Sequence, residues 1–148
     1  GDIGEVIVKG SNVMKGYYKR KEQTRETIKS GWLYTGDMGR LDGEGFLYIT
    51  GRKRNVLIKG GMNIYPEEIE EVLMLHPAVK EACVSGERHE FLGEVPVARV
   101  VLKEDSSCTG VDEIIRFCNK NLSSFKLPES IKLVEELPRT DSGKIMRI

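Results

Sequence analysis

Two apolar runs, Val79–Ser85 and Val95–Leu102, constrain the fold of this chain more than any other feature. They are rich in β-branched residues and bounded by polar or turn-forming segments, the signature of β-strands. Such strands need a cover, and two segments of helical period stand beside them in sequence. Ile69, Val72, Leu73 and His76 recur at i, i+3, i+4 and i+7 behind Pro66, with Glu67 and Glu68 at the positive end of the predicted helix. Ile114, Ile115, Cys118 and Leu122 line a second helix, predicted over 111–122. A short strand is predicted over 55–58, broken by Gly60-Gly61, and a last one over 131–134. Two helices on one face of a three-stranded sheet make an α/β (more strictly α+β) domain.

The earlier part of the chain has a different character. Glu5-Val-Ile-Val-Lys9 reads as a strand, Lys21 to Lys29 as a short polar helix closed by Ser30-Gly31, and Trp32–Tyr34 and Gly39–Leu41 as short strands. Asp42-Gly-Glu-Gly45 is a turn before the strand Phe46–Thr50, so residues 39–50 are predicted to form a hairpin. The cations Arg52, Lys53 and Arg54 separate the two styles. Residues 1–53 are therefore expected to be a β-rich piece of one domain, and residues 54–148 a second domain. Both ends read as cut from something longer.

Bulk properties exclude several functions. Lys plus Arg equals Asp plus Glu at 23 each, so there is no net pull toward nucleic acid or an anionic membrane. No apolar run approaches the roughly 18 residues of a spanning helix. The three cysteines, at 83, 108 and 118, are odd in number and form no Cys-x-x-Cys pair. A disulfide framework or zinc site is not expected, and a reducing cytoplasm fits best. His76 and His89 do not read as a metal pair, and His76, just before Pro77, reads as a helix-end residue.

Four short motifs could carry chemistry, and each has a plain structural alternative. Asp37, in Thr35-Gly36-Asp37, could accept two hydrogen bonds from a ribose diol, or could serve an ordinary Asx turn between strands. Arg52, Lys53 and Arg54 could hold a nucleotide, or be a solvated charge run. Gly60 and Gly61 could admit a thin ligand arm close to the backbone, or simply connect a strand to the helix at Pro66. Lys144, on the Ser142-Gly143 turn, could neutralise charge developing between two anions, or be one more exposed lysine. The Gly-x-x-x-x-Gly-Lys-Ser/Thr phosphate loop is absent from the sequence.

Order and spacing decide among these readings. Gly4-Glu-Val-Ile-Val-Lys-Gly10, Gly31-Trp-Leu-Tyr-Thr-Gly-Asp37, Asp42-Gly-Glu-Gly-Phe46, Gly51-Arg52, Asn63-Ile-Tyr-Pro-Glu-Glu-Ile-Glu70, Phe125-Lys-Leu-Pro128 and Leu137-Pro-Arg-Thr-Asp-Ser-Gly-Lys-Ile-Met-Arg147 follow one another along nearly the whole chain. In that order they resemble the carboxyl-terminal portion of the AMP-forming acyl-CoA synthetases, within the wider adenylate-forming group. The resemblance implies activation of a carboxylic acid with ATP to an acyl-adenylate, then transfer of the acyl group to coenzyme A. It implies ribose contacts for Asp37 and Arg52 and a nucleotide contact for Asn63. It implies a hinge at Arg54, a pantetheine passage at Gly60 and Gly61, and a catalytic Lys144 bridging carboxylate and α-phosphate. The residues before Arg54 would end the large adenylating domain, and those after it would form the small domain that rotates between half-reactions.

Some positions depart from the family pattern. Ile58 stands where a lysine is frequent, His89 where an acidic residue is common, and Lys21 where a proline is common. The family's phosphate loop, magnesium-binding acid and acyl pocket would lie upstream, so this piece alone is expected to be inactive, needing the domain before it as its partner. Two other readings remain open: an adenylation enzyme loading a carrier protein, and a stand-alone binding module without turnover.

Overall fold

The computed structural model describes residues 1–106 and 109–147. The chain divides into two compact units, Gly1–Arg54 and the residues from Asn55 onward.

The first unit is a four-stranded sheet around one long strand. Strand β1 (Gly4–Val8) pairs antiparallel with β3 (Trp32–Leu41), and β2 (Ile28–Lys29) and β4 (Leu47–Arg52) pair with β3 as well. Helix α1 (Lys21–Thr27) is shorter than the sequence suggests. Ser30 and Gly31 both have positive φ, at 53° and 81°. They form a two-residue turn that folds Ile28–Lys29 back onto Leu33 and Trp32, so strand pairing takes the end of the predicted helix. The predicted turn at Thr35-Gly36-Asp37 is also absent, because β3 runs through it. Those three residues stand opposite Val6 alone, between the pairs Glu5–Met38 and Ile7–Tyr34, which makes a bulge rather than a turn. The hairpin at 39–50 is present, its turn held by the Asp42 carboxylate, which accepts from the Glu44 and Phe46 backbone N–H groups at 2.9 Å each. Leu41, Phe46, Leu47, Tyr48 and Ile49 are all exposed, and the alternation of β4 distributes them over both of its faces.

The second unit is α+β, as expected. Its centre is a long hairpin of β7 (Val79–His89) and β8 (Gly93–Leu102), paired over nearly their full length. Strand β9 (Ser130–Leu133) lies parallel to β8. These are the three strands of the predicted sheet. Two more extend the sheet: β5 (Leu57–Lys59) and β6 (Met62–Ile64) form a small hairpin whose Lys59 meets Gly93 of β8. Gly60 and Gly61, with φ of 56° and 83°, are the turn of that hairpin. They do not lead straight into the helix, because Asn63 and Met62 pair back onto Ile58 and Lys59. Asn55, predicted as the start of a strand, instead closes the short 3₁₀ turn Lys53–Asn55.

Helix α2 (Pro66–Met74) begins with Pro66 as predicted and drives Ile69 and Leu73 into the core. Helix α3 (Val111–Asn121) buries Ile114 and Cys118, while Ile115 sits at the exposed margin of its apolar stripe. Ile69, Leu73, Val84, Val100 and Ile114 are fully enclosed in one cluster with Leu57, Ile64 and Ile131. His76 is buried just past α2, edge-on to Phe117 at 5.0 Å, its Nδ1 accepting from the Ala78 backbone N–H. It is the helix-end residue the sequence suggests. Cys83 and Cys118 are free and buried, and burial raises both thiols above their ordinary values. Cys108 lies outside the described residues. No helix among the described residues is long and apolar enough to cross a membrane.

Leu73 has no exposed surface. Leu73→Ala should therefore destabilise the chain by about 2–5 kcal/mol, measured by denaturant titration, whereas the same change at exposed Leu75 should cost well under half of that.

Candidate functional site

The bulge in β3 is built by one hydroxyl. Thr35 Oγ1 donates to the Val6 carbonyl at 2.8 Å and accepts from the Asp37 N–H at 3.0 Å. Gly36, between them, has φ of 73°, a conformation that costs a non-glycine residue roughly 1–2 kcal/mol. The local kink turns Asp37 toward its cross-strand partner Arg52. Arg52 Nε meets Asp37 Oδ1 at 2.8 Å, and Arg52 Nη1 donates to the Thr35 carbonyl at 3.2 Å. One oxygen of the Asp37 carboxylate thus remains for another donor, and the guanidinium, held at two points, borders a shallow cleft. Thr35, Gly36, Arg52, Lys53 and Arg54 line that cleft. The two residues read from separate motifs, Asp37 and Arg52, are therefore brought together as direct neighbours. Lys53 instead pairs with Glu5 at 2.8 Å. Thr35, which the sequence reading passed over, makes the arrangement possible.

The remaining predicted site residues lie in the second unit, on two different elements. Gly60, Gly61 and Asn63 belong to the β5–β6 hairpin. The Gly60 N–H donates to the Leu92 carbonyl at 2.8 Å, fastening this hairpin to the loop between β7 and β8. A Cβ on Gly61 would meet nothing within 4 Å, so the turn presents open backbone on its outer side. Asn63 pairs with Ile58, and both are exposed, on the side of the hairpin away from buried Leu57 and Ile64. The loop that receives Gly60 is shaped by His89, whose Nδ1 accepts from the N–H groups of Phe91 and Leu92.

Lys144 stands elsewhere. Beyond β9 the chain buries Leu137 against Cys83 and Val101, then forms a small closed turn. The Gly143 N–H donates to the Thr140 carbonyl at 2.8 Å, and the Thr140 N–H to the Lys144 carbonyl at 2.8 Å. The Thr140 hydroxyl accepts from the Lys144 N–H and lies 2.9 Å from the Ser142 hydroxyl. The backbone groups of Thr140, Gly143 and Lys144 are thus engaged across the turn, while the Lys144 ammonium has no ion-pair partner among the described residues. The turn's root is Arg139, which donates to the Gly143 carbonyl at 3.0 Å and pairs with Glu81 of β7. In the sheet order β6-β5-β8-β7, the glycine hairpin lies at one edge, while the strand that anchors the lysine turn forms the other.

The sequence matches the model of the AMP-binding enzyme C-terminal domain over residues 68–144, more than half of the chain. The chain belongs to this family. It is 51% identical to the 2-succinylbenzoate–CoA ligase of Bacillus mycoides over 97% of its own length and 29% of that relative's length. Its fold superposes with a TM-score of 0.92 on o-succinylbenzoate CoA synthetase from Bacillus subtilis in complex with the acyl-adenylate intermediate OSB-AMP, at 43% identity, covering 99% of this chain and 30% of that one. The same synthetase in complex with ATP and magnesium ion gives a TM-score of 0.90 over the same shares of both chains. The resemblance to AMP-forming acyl-CoA synthetases read from the motifs is thereby borne out, and the chain spans less than a third of the length of these relatives.

The Asp37–Arg52 pair is exposed enough to separate ligand binding from folding, with side chains 30% and 53% accessible. Arg52→Met should cost no more than about 1 kcal/mol of stability, read as a small shift in a denaturant midpoint. A loss of several kcal/mol would make the pair a structural element instead.

Proposed function

We propose that this chain is the carboxyl-terminal part of an AMP-forming acid–CoA ligase, with 2-succinylbenzoate as the acid. In the first half-reaction a substrate carboxylate oxygen attacks the α-phosphorus of ATP, and pyrophosphate leaves. In the second, the coenzyme A sulfur attacks the acyl carbon of the adenylate, and AMP leaves. The proposed substrate rests on half-identity with a 2-succinylbenzoate–CoA ligase over nearly the whole chain.

Asp37 and Arg52 are assigned to the nucleotide ribose. A carboxylate with one oxygen held by a guanidinium and the other open suits a vicinal diol, and the guanidinium adds a fixed donor fork. Lys144 is assigned to the reacting centre of adenylation, where carboxylate and phosphate carry like charge and a cation lowers the barrier. The observation that carries this assignment is the turn itself: it is closed by hydrogen bonds linking Thr140 to Gly143 and Lys144, while its ammonium has no partner among the described residues. Gly60 and Gly61 are assigned to the path of the pantetheine arm, supported by the open outer side of Gly61, and Asn63 beside them to a nucleotide contact. Placing these on opposite sheet edges suits a small domain that offers one edge for adenylation and the other for thioester formation. Arg54, where the two compact units divide, is the proposed hinge. The residues before it are proposed to complete a larger adenylating domain, which would cover the exposed apolar side chains of this hairpin, Phe46 and Tyr48 among them.

The described residues contain no cluster of His, Cys, Asp or Glu able to hold a metal ion. Magnesium, implied by the family, is proposed to bind residues outside this chain segment.

In the full-length ligase, Lys144→Ala should slow adenylation of 2-succinylbenzoate by about 10²–10³-fold, followed as pyrophosphate release. Thioester formation from preformed acyl-adenylate should largely survive. Equal loss of both half-reactions would refute the role of Lys144, and pyrophosphate release with unrelated acids but not with 2-succinylbenzoate would refute the substrate.

A further inference from the structure

The turn that carries Lys144 is held by two arginines, one on each side, and both reach carboxylates of the lobe beneath it. Arg139 ties the near side to Glu81 of β7. Arg147 ties the far side to α2, with Nη2 at 2.7 Å from Glu70 Oε2 and 3.2 Å from Glu67 Oε1. Between the two anchors, Ile145 lines an apolar hollow with Met74, Leu75 and Ala82. The backbone of the stretch is stitched as well, since the Met146 N–H donates to the Pro138 carbonyl at 2.8 Å.

Glu70 is more than a surface partner. Its side chain is only 18% exposed. Its Oε1 accepts from the Val84 N–H at 2.7 Å, on β7, an outer strand of the sheet. The other oxygen takes Arg147. A single carboxylate therefore joins the helix, the sheet edge and the tail. Burial raises the Glu70 carboxyl above its ordinary value, and the Val84 N–H and Arg147 both oppose that shift. Arg147 is thus held by a partly desolvated pair, which water and salt weaken less than a pair at the open surface.

We propose that Glu70 and Arg147 are a positioning pair for Lys144: by clamping the chain just beyond the turn onto α2, they set the direction in which the lysine leaves the lobe. The proposal rests on the adenylation role given to Lys144 above. Neither residue touches the reacting atoms; both act through the lysine. A displacement of about 1 Å at a reacting group can cost on the order of 100-fold in rate, so a clamp at the base of a long flexible side chain carries kinetic weight. A plain staple of the tail would weaken both half-reactions alike and independently of Lys144.

The test uses the full-length ligase carrying Arg147→Gln, Arg147→Lys, Glu70→Gln, Lys144→Ala and the double variant Arg147→Gln/Lys144→Ala. Arg147→Gln and Glu70→Gln should each lower the kcat of adenylation by about 10- to 100-fold, with thioester formation from preformed acyl-adenylate near wild type. Arg147→Lys, which keeps the charge, should recover part of the rate. The double variant should adenylate no more slowly than Lys144→Ala alone, because a clamp has nothing to position once the lysine is gone. Wild-type adenylation in both glutamine variants, parallel loss of both half-reactions, or a full multiplicative loss in the double variant would each overturn the clamp while leaving the Lys144 assignment standing. Unimpaired adenylation in Lys144→Ala alone would overturn both.

Discussion

The second unit depends on the burial of one long hairpin. β7 and β8 pair residue against residue, and the face that carries Ala82, Val84, Ala98 and Val100 is sealed by Ile69 and Leu73 of α2 and Ile114 and Cys118 of α3. Burying each large side chain contributes roughly 1.5–3 kcal/mol. With that core closed, β8 offers its remaining side to two further strands, β9 and the tip of the β5–β6 hairpin. Both proposed active elements are then carried outward from a rigid centre, one from each edge.

In the proposed function, this arrangement would answer a chemical conflict. A cation favours the joining of a carboxylate to a phosphate, but the same side chain would obstruct the thiol that follows. Under the proposed roles, placing the lysine turn and the glycine hairpin toward opposite edges of the sheet would let a single lobe serve both steps in turn. The first unit shows a complementary economy. The Thr35 hydroxyl and the positive φ of Gly36 produce the kink that sets Asp37 beside Arg52, so the paired groups need no long loop to support them.

Residue patterns made much of this legible. The apolar periodicity of α2 and α3, the proline at the start of α2 and the β-branched runs of β7 and β8 all act locally, and each element formed where its pattern stood. The misjudged places share a cause. Ile28–Lys29 continues a helical composition, yet the turn at Ser30-Gly31 offers it a strand partner. Met62–Ile64 is too short to register as a strand, yet Gly60-Gly61 folds it onto β5 and buried Ile64 fixes it there. In both cases pairing with a neighbour outweighed local preference.

Sequence alone was enough for the identity of the motif residues and their order, because chemistry of this kind requires particular side chains at particular turns. It also set the helices and the central strands, through periodicity. Tertiary structure decided which of those residues meet. Asp37 finds Arg52 only through the register of β3 and β4, and Arg147 finds Glu70 only because the tail crosses α2 after β9. Contacts between residues so far apart in the chain depend on how separate elements pack, and no local pattern of side chains encodes that distance.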